Sequence, residues 1–321
     1  MSETLLTVRV AARQAETAEV STFELVAADG GALPAFAAGA HLDVHVPGGL
    51  VRQYSLCNAP SETHRYLIGV LRDPNSRGGS AAMHDAVQAG DTLQISAPRN
   101  HFALDENAGH HLLLAGGIGV TPILCMAEAL AAGAGSFDLH YCARSADRMA
   151  FRTRLAGAAF ADRVLLHLDD GDAAQKLDIA ATLAEASPQT HLYVCGPAGF
   201  IEAVLDTARA QGWAEARLHR EFFAAPVHDD EGDSGAFEMA LAQTGITVQV
   251  AAGQSAVAAL HAAGVDVPVS CEQGVCGTCL TRVLEGTPDH RDAYLTEDER
   301  AANDQFLPCC SRARGRLVID L

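Results

Sequence analysis

Four cysteines toward the end of the chain constrain it more than any other feature. Cys271, Cys276 and Cys279 follow the spacing C-x4-C-x2-C, and Cys309 comes after 29 intervening residues with Cys310 directly behind it. This is a spacing by which four thiolates hold a 2Fe-2S cluster. Each iron takes two cysteine sulfurs beside two bridging sulfides, so one tight loop must present three of the four sulfurs from one side. Gly274 and Gly277 permit such a loop, its N–H groups are free to point at sulfur, and Thr278 adds a hydroxyl. A structural zinc site is the competing reading, but zinc sites more often come as two short C-x2-C pairs set far apart. Of the nine cysteines five lie after residue 270, a distribution that suits metal or redox chemistry better than disulfides.

A chain of 321 residues has room for three compact domains of about 100 residues each. Over the first hundred residues short β-prone runs (5–11, 41–46, 66–71, 92–96) alternate with turns such as Pro47-Gly48-Gly49 and Ala89-Gly90-Asp91, which predicts an antiparallel barrel. From His110 the pattern becomes apolar strands (112–115, 137–142, 163–168, 191–195) separated by helical segments such as 122–132 and 199–211, the pattern of a parallel α/β domain. The stretch 224–236 is polar and rich in turn formers and reads as a linker. Beyond it, 237–242 and 247–250 read as a hairpin and 256–264 as a helix.

Acidic residues outnumber basic ones by 40 to 22, a formal charge of -18, which argues against a nucleic-acid partner. A basic protein surface fits that charge, and so does a surplus of carboxylates that only keeps the chain soluble. Residues 1–20 lack a cationic start followed by an apolar run, so the expectation is a cytoplasmic protein without a signal peptide. The most apolar stretch, 112–127, is broken by Gly116, Gly117, Gly119 and Pro122 and suits a buried strand, loop and helix better than a membrane span.

Two further motifs carry ligand chemistry. Arg52-Gln53-Tyr54-Ser55-Leu56, read as following a strand and ending at a turn, resembles the R-x-Y-S-L flavin signature of the ferredoxin reductase superfamily. Arg52 suits a phosphate, Tyr54 the isoalloxazine ring, and Ser55 a hydrogen bond near the ring's N5. Downstream, Arg77-Gly78-Gly79-Ser80 precedes a helix expected to start near Met83, where backbone N–H groups and a hydroxyl suit an anion. Each piece alone is equally an ordinary turn. The second motif, Gly116-Gly117-Ile118-Gly119-Val120-Thr121-Pro122, joins an apolar strand to a helix expected to begin near Pro122, the order pyrophosphate binding needs. It departs from G-x-G-x-x-G but resembles the nicotinamide loop of ferredoxin reductase-like proteins, as does Tyr193-Val194-Cys195-Gly196-Pro197. That resemblance implies that Thr121 and Cys195 lie near the nicotinamide, whereas the plain reading of Cys195 is a strand-end cysteine. Arg144, Ser145 and Arg148 suit a 2′-phosphate or are solvated loop charges, with Asp147 beside them.

The order flavin, nicotinamide, then 2Fe-2S resembles the phthalate dioxygenase reductase family, which includes vanillate O-demethylase reductases, along essentially the whole chain. The resemblance implies an FMN-binding β-barrel over 1–106, an NAD-binding α/β domain over 107–224, a linker over 225–236 and an α+β, β-grasp ferredoxin-like domain over 237–321. FMN would be held by Arg52, Tyr54, Ser55, Leu56, Gly78, Gly79 and Ser80, with Phe223 of Glu221-Phe222-Phe223 near the flavin. The nicotinamide would be lined by Gly116, Gly117, Gly119, Thr121, Cys195, Gly196 and Pro197, and Ser55 and Cys195 would act in catalysis. The 29-residue gap resembles that of plant ferredoxins and implies Cys309 as fourth ligand. Cys57, Cys125, Cys142 and Cys310 then read as small buried apolar residues. The implied activity is electron transfer from NADH through FMN and the cluster to a terminal Rieske non-haem iron oxygenase. A cytochrome P450 or other haem acceptor, and a flavin/iron-sulfur sensor without turnover, are the alternatives.

Overall fold

Strict alternation builds the first sheet. In β1 (Leu6–Ala15) Val8 and Val10 are buried while Thr7 and Arg9 face solvent. The strands β2 (Val20–Ala27), β3 (Ala40–Val46), β4 (Leu50–Ser55), β5 (Tyr66–Leu71) and β6 (Thr92–Ile95) join β1 in the antiparallel order β4-β3-β6-β1-β2-β5, and the short β7 (Arg99–Asn100) pairs with β3. An isolated Leu56–Ile68 bridge and a Cys57 N–H to Leu67 carbonyl bond of 2.9 Å draw β4 and β5 together, so the sheet nearly closes around Phe23, Leu25, Leu42, Tyr66 and Ile68. The structure, a computed structural model, describes residues 5–74, 78–223 and 235–321.

Two local expectations change here. The Arg52–Ser55 motif is itself strand β4 rather than the segment after one. Its first five residues are all partly buried, so no two-residue period marks it. The helix α1 (Gly79–Ala86) starts at the glycines and not near Met83, because Gly78 supplies a left-handed cap at φ 94°.

The next strands, β8 (His110–Gly116), β9 (Phe137–Ala143), β10 (Val164–Leu168), β11 (Thr190–Cys195) and β12 (Leu218–Glu221), form a parallel sheet in the order β10-β9-β8-β11-β12. Central β8 is buried along nearly its whole length, which explains its unbroken apolar run. Helices α2 (Val120–Ala132), α3 (Arg152–Ala156), α4 (Ile179–Ala184) and α5 (Ala198–Ala210) connect the strands. Pro122 stands in the first turn of α2, two residues after its start at Val120, where a missing N–H leaves no bond unmade. Edge strand β12, with the sequence Leu-His-Arg-Glu, carries no apolar pattern and, like β4, is a strand that sequence periodicity does not reveal. Val20, Ala38, Cys57 and Phe102 of the barrel segment share a core with Leu113, Tyr141 and Cys195, so barrel and parallel sheet belong to one compact unit, Met1–Glu221.

The second unit is Phe222–Leu321. Its strands β13 (Phe237–Leu241), β14 (Thr247–Val250), β15 (Thr281–Glu285), β17 (Gln305–Phe306) and β19 (Arg316–Ile319) lie in the order β14-β13-β19-β15-β17. The pair β13–β19 is parallel and the others antiparallel. A second small pair joins β16 (Pro288–Asp289) to β18 (Arg312–Ala313). Helix α6 (Ala256–Ala262) is capped by Ser255, whose Oγ accepts the Ala258 N–H at 3.2 Å, and packs Val257 and Leu260 onto the sheet. Helix α7 (Glu297–Ala302) begins with a Thr296/Glu299 capping box. Most of the expected linker, 224–234, lies outside the described residues, as does Arg77. Among the described residues no helix is long and apolar enough to cross a membrane.

Candidate cofactor sites

In the first unit the barrel motif meets the ends of the parallel strands. Arg52 on β4 runs across the first turn of α1, so close that a Cβ on Gly79 would stand 2.5 Å from its Cγ. A guanidinium lying against a glycine helix start, with room for no side chain between them, is a cradle for a phosphate-sized anion, and the residues therefore fit a flavin phosphate. Ser80 is already engaged, its Oγ accepting the Asp73 N–H at 3.2 Å. Tyr54 is partly buried, and burial pushes its phenol above the ordinary range. Leu56 points into the barrel core, fully buried, with its N–H bonded to the Ala40 carbonyl at 2.9 Å.

Ser55 donates its hydroxyl to Glu221 Oε2 at 3.1 Å across 166 positions of sequence. Glu221 ends β12 and is paired in register with Cys195 at the end of β11. Burial pushes the Glu221 carboxyl up to about 7, against the opposing effect of the Ser55 hydrogen bond. Although the residue as a whole keeps some exposed surface, its carboxyl end is enclosed. Cys195 is completely buried, and burial and then the neighbouring Glu221 raise its thiol well above the usual value, so it holds its proton at neutral pH. Ser55, Cys195 and Glu221 thus form one group. Glu221 is the member that sequence reasoning missed, because the segment Glu221-Phe222-Phe223 drew attention only for its rings.

The two glycine-bearing loops interlock. A Cβ on Gly119 would lie 2.3 Å from the Cys195 carbonyl oxygen and 2.6 Å from the Gly196 nitrogen, and one on Gly196 would lie 3.0 Å from Gly116 Cα. A Cβ on Gly116 would meet Pro197 Cδ at 3.0 Å. Gly117, between them, has open space around it. Thr121 is buried, its hydroxyl donated to the Ile118 carbonyl at 3.0 Å and its methyl set against Gly69 of β5. The loops fit a nucleotide diphosphate, since the glycines let backbone approach backbone at the strand ends. Of the ribose candidates, Arg148 is paired with Glu19 at 2.9 Å, Arg144 is exposed, and the Asp169 and Asp170 N–H groups bond to the Ala143 and Arg144 carbonyls at 3.0 and 3.1 Å.

In the second unit the cysteines meet in two pairs. Cys271 contacts Cys276 and Cys279 contacts Cys309 through their side chains, and Cys309 also touches the adjacent Cys310. The Gln273 and Thr278 N–H groups point at Cys271 and Cys276 Sγ at 3.3 and 3.4 Å, and Thr278 Oγ1 lies 3.2 Å from Cys276 Sγ. Among the described residues no three His, Cys, Asp or Glu side chains converge on one point. Cys271 with Cys276 and Cys279 with Cys309 supply two thiolates for each of two irons, so these residues fit a 2Fe-2S cluster. Gly277 at φ 69° lies under the ring of Tyr294, whose Cζ would be 2.3 Å from a Cβ there, so both the backbone angle and the space require glycine. Phe223 is 37% exposed.

Residues 239–314 match the 2Fe-2S iron-sulfur cluster binding domain, and 94–218 match the dimethylamine monooxygenase subunit DmmA-like N-terminal domain. The chain is 55% identical to a vanillate O-demethylase oxidoreductase of Pseudomonas sp. (strain HR199 / DSM 7063), over 99% of this chain and 100% of that protein. It superimposes on a phthalate dioxygenase reductase, described as a modular structure for electron transfer from pyridine nucleotides to [2Fe-2S], with TM-score 0.79 and 38% identity over 99% of this chain and 98% of that one. An intact type IV self-sufficient cytochrome P450 monooxygenase matches with TM-score 0.84 and 37% identity over 99% of this chain and 41% of its own length. With its barrel, parallel sheet and paired cysteines in the same order, the chain belongs to the phthalate dioxygenase reductase family, flavin and 2Fe-2S oxidoreductases to which the vanillate O-demethylase oxidoreductases also belong.

Proposed function

We propose that the protein takes electrons from NADH and delivers them to the terminal Rieske oxygenase of a system that demethylates or hydroxylates a vanillate-like aromatic acid, acting in the cytoplasm. The observation that carries this reading is the pairing of four cysteines two by two in a chain whose first unit gathers Ser55, Cys195 and Glu221 at its strand ends. The working division is 1–106 for the flavin, 107–224 for the nucleotide, 225–236 as linker and 237–321 for the cluster. FMN supplies the exchange between a two-electron hydride and the single electrons a 2Fe-2S cluster accepts.

Each residue then has a task. Arg52, Gly78, Gly79 and Ser80 hold the FMN phosphate, Tyr54 flanks the ring, and Leu56 locks the barrel seam beneath it. Gly116, Gly117, Gly119, Gly196 and Pro197 admit the nicotinamide nucleotide close to the backbone, with Thr121 bracing that loop on the barrel. Asp169 and Asp170, whose backbones pair with those of Ala143 and Arg144, put two carboxylates on the loop beside the Arg144 candidate and so favour NADH over a 2′-phosphate. Cys195 presents an uncharged thiol that excludes water without repelling an incoming hydride. Phe223 is assigned to the flavin by resemblance. Ser55 Oγ relays a proton to Glu221 Oε2, which is ionised above about 7 and protonated below it. Cys271, Cys276, Cys279 and Cys309 ligate the cluster.

The sign of the pH dependence follows. Electron delivery to an acceptor should rise with pH through about 7, as Glu221 becomes able to accept the proton. Glu221→Gln should flatten that rise and slow delivery by on the order of 100-fold. Multiple-turnover rates from pH 6 to 8 on both proteins check it, and an unchanged profile refutes the role.

The test of the function as a whole is anaerobic mixing with NADH in the presence of a purified Rieske oxygenase. The flavin band should bleach first, then the cluster bands, then the oxygenase's Rieske centre. The last step should slow as salt rises, since a chain of net charge -18 is steered to a basic face. A haem acceptor is the second reading, favoured by the match to the self-sufficient P450, and a P450 reduced faster than any Rieske centre would establish it.

A further inference from the structure

We propose that Asp292, buried under the cysteine loop, is a positioning residue for the cluster. It holds the Cys271–Cys279 loop in register with the turn that bears Cys309, and its charge sets how readily the centre accepts an electron. This inference rests on the four-cysteine ligand reading above.

The segment between β16 and α7 has no regular structure of its own, yet Asp292 is only 2% exposed. Its Oδ2 accepts the N–H groups of Tyr294 and Leu295 at 3.2 and 2.8 Å, and its Oδ1 accepts the hydroxyl of Ser311 at 3.3 Å. Ser311 is completely buried two residues after Cys309, and its Oγ also accepts the Arg291 N–H at 3.1 Å. Asp292 is therefore fastened to the turn of the fourth ligand, just before β18.

It is equally fastened to the loop of the other three. A Cβ on Gly274, which sits at φ 72°, would lie 2.9 Å from Asp292 Cα and 3.0 Å from its Cβ. The next residue, Ala293, donates its N–H to the Gly274 carbonyl at 2.9 Å, and the Gly274 N–H is turned to Cys309. Tyr294 covers Gly277 between Cys276 and Cys279. One rigid path, Ser311–Asp292–Ala293–Gly274, thus ties both halves of the ligand set, and it closes on the sulfur of Cys309. A buried polar group with three hydrogen bonds specifies one arrangement and leaves donors stranded in any other.

The charge has its own effect. Asp292 faces Arg300 at 3.8 Å and His290 at 3.7 Å, and both ring nitrogens of His290 are buried without a hydrogen-bond partner. A carboxylate this close to the loop opposes an added electron, an interaction that low dielectric strengthens.

Substitution separates the two roles. In Asp292→Asn the amide oxygen can accept the two N–H groups while its NH2 faces Ser311 Oγ, so shape is kept and charge is lost. The holoenzyme should retain its iron and sulfide and its reduced-state EPR spectrum. Its midpoint should move positive by about tenfold in the reduced-to-oxidised ratio at fixed potential, ~59 mV for one electron. Asp292→Ala strands the Tyr294 and Leu295 N–H groups and should shorten the lifetime of the cluster bands under chelator by about tenfold, with Ser311→Ala between it and wild type. A wild-type midpoint in Asp292→Asn overturns the role of charge. Wild-type cluster lifetimes in Asp292→Ala and Ser311→Ala overturn the positioning. A wild-type protein without iron and sulfide would overturn the ligand reading itself, and this inference with it.

Discussion

Serine in place of Cys309 will stop electrons at the flavin while NADH still reduces that flavin at its wild-type rate. Cys309 lies in the second unit and the flavin and nucleotide residues lie in the first, so the loss should not spread to hydride transfer. Residues that merely orient metal ligands change affinity by about 10–100-fold, and removal of a ligand should exceed that. Cytochrome c reduction should therefore fall by more than about 100-fold, with the cluster absorbance gone and the flavin retained. Cys310 should not substitute. Its sulfur contacts Cys309 and is directed to the Leu307 carbonyl and Ser311 Oγ, both at 3.7 Å, whereas Cys309 is the residue that meets Cys279. The companion variant Cys310→Ser should keep its cluster. The opposite pattern in the two variants would move the fourth ligand by one residue.

A single methyl group at Gly119 should have the second large effect. Its φ of -60° and ψ of -7° are ordinary helical angles, so alanine there meets no backbone strain. The obstacle is space. The new Cβ would stand 2.3 Å from the Cys195 oxygen and 2.4 Å from its carbonyl carbon, and neither atom belongs to a side chain that could turn away. The β8–α2 and β11–α5 loops would have to separate. Overpacking of this kind costs about 1–3 kcal/mol. In a unit of this size that lowers the melting temperature by roughly 2–12 °C. Because the same displacement moves Cys195 and the loops around it, NADH affinity should fall by on the order of tenfold or more. Thermal melts and NADH titrations of Gly119→Ala check both parts. Gly117→Ala is the control for space, since nothing lies near its Cβ position, although its φ of 55° disfavours any side chain.

These two sites also show what kind of site a sequence makes legible. Cys271, Cys276 and Cys279 sit within nine positions of one another, and their spacing encodes the loop geometry directly, because a short segment has few ways to aim three sulfurs together. The glycine loop from Gly116 to Gly119 is legible for the same reason, since a strand, a turn and a helix start follow one another along the chain. Strands β8 and β9 announce themselves through burial, whereas β4 and β12 do not. Those two strands carry partly exposed polar side chains for a ligand site, which erases the period that marks a strand. The start of α1 was hidden by the glycines that cap it, residues that usually signal the end of a helix rather than its beginning.

The sequence by itself determined the chemistry of this protein, because motifs made of neighbouring residues carry their geometry with them: the cysteine spacing, the flavin-type strand and the nicotinamide-type loops, in that family's order. Only the tertiary structure decided which distant residues complete those sites. The Ser55–Glu221 hydrogen bond spans 166 positions, Asp292 reaches Ser311 across 19, and Gly119 meets Cys195 through backbone alone. No local pattern records such contacts. They arise when the barrel packs on the parallel sheet and brings the end of β4 to the end of β12, and when the cysteine loop meets the turn of Cys309, and burial then gives a glutamate or an aspartate a role its residue type does not declare.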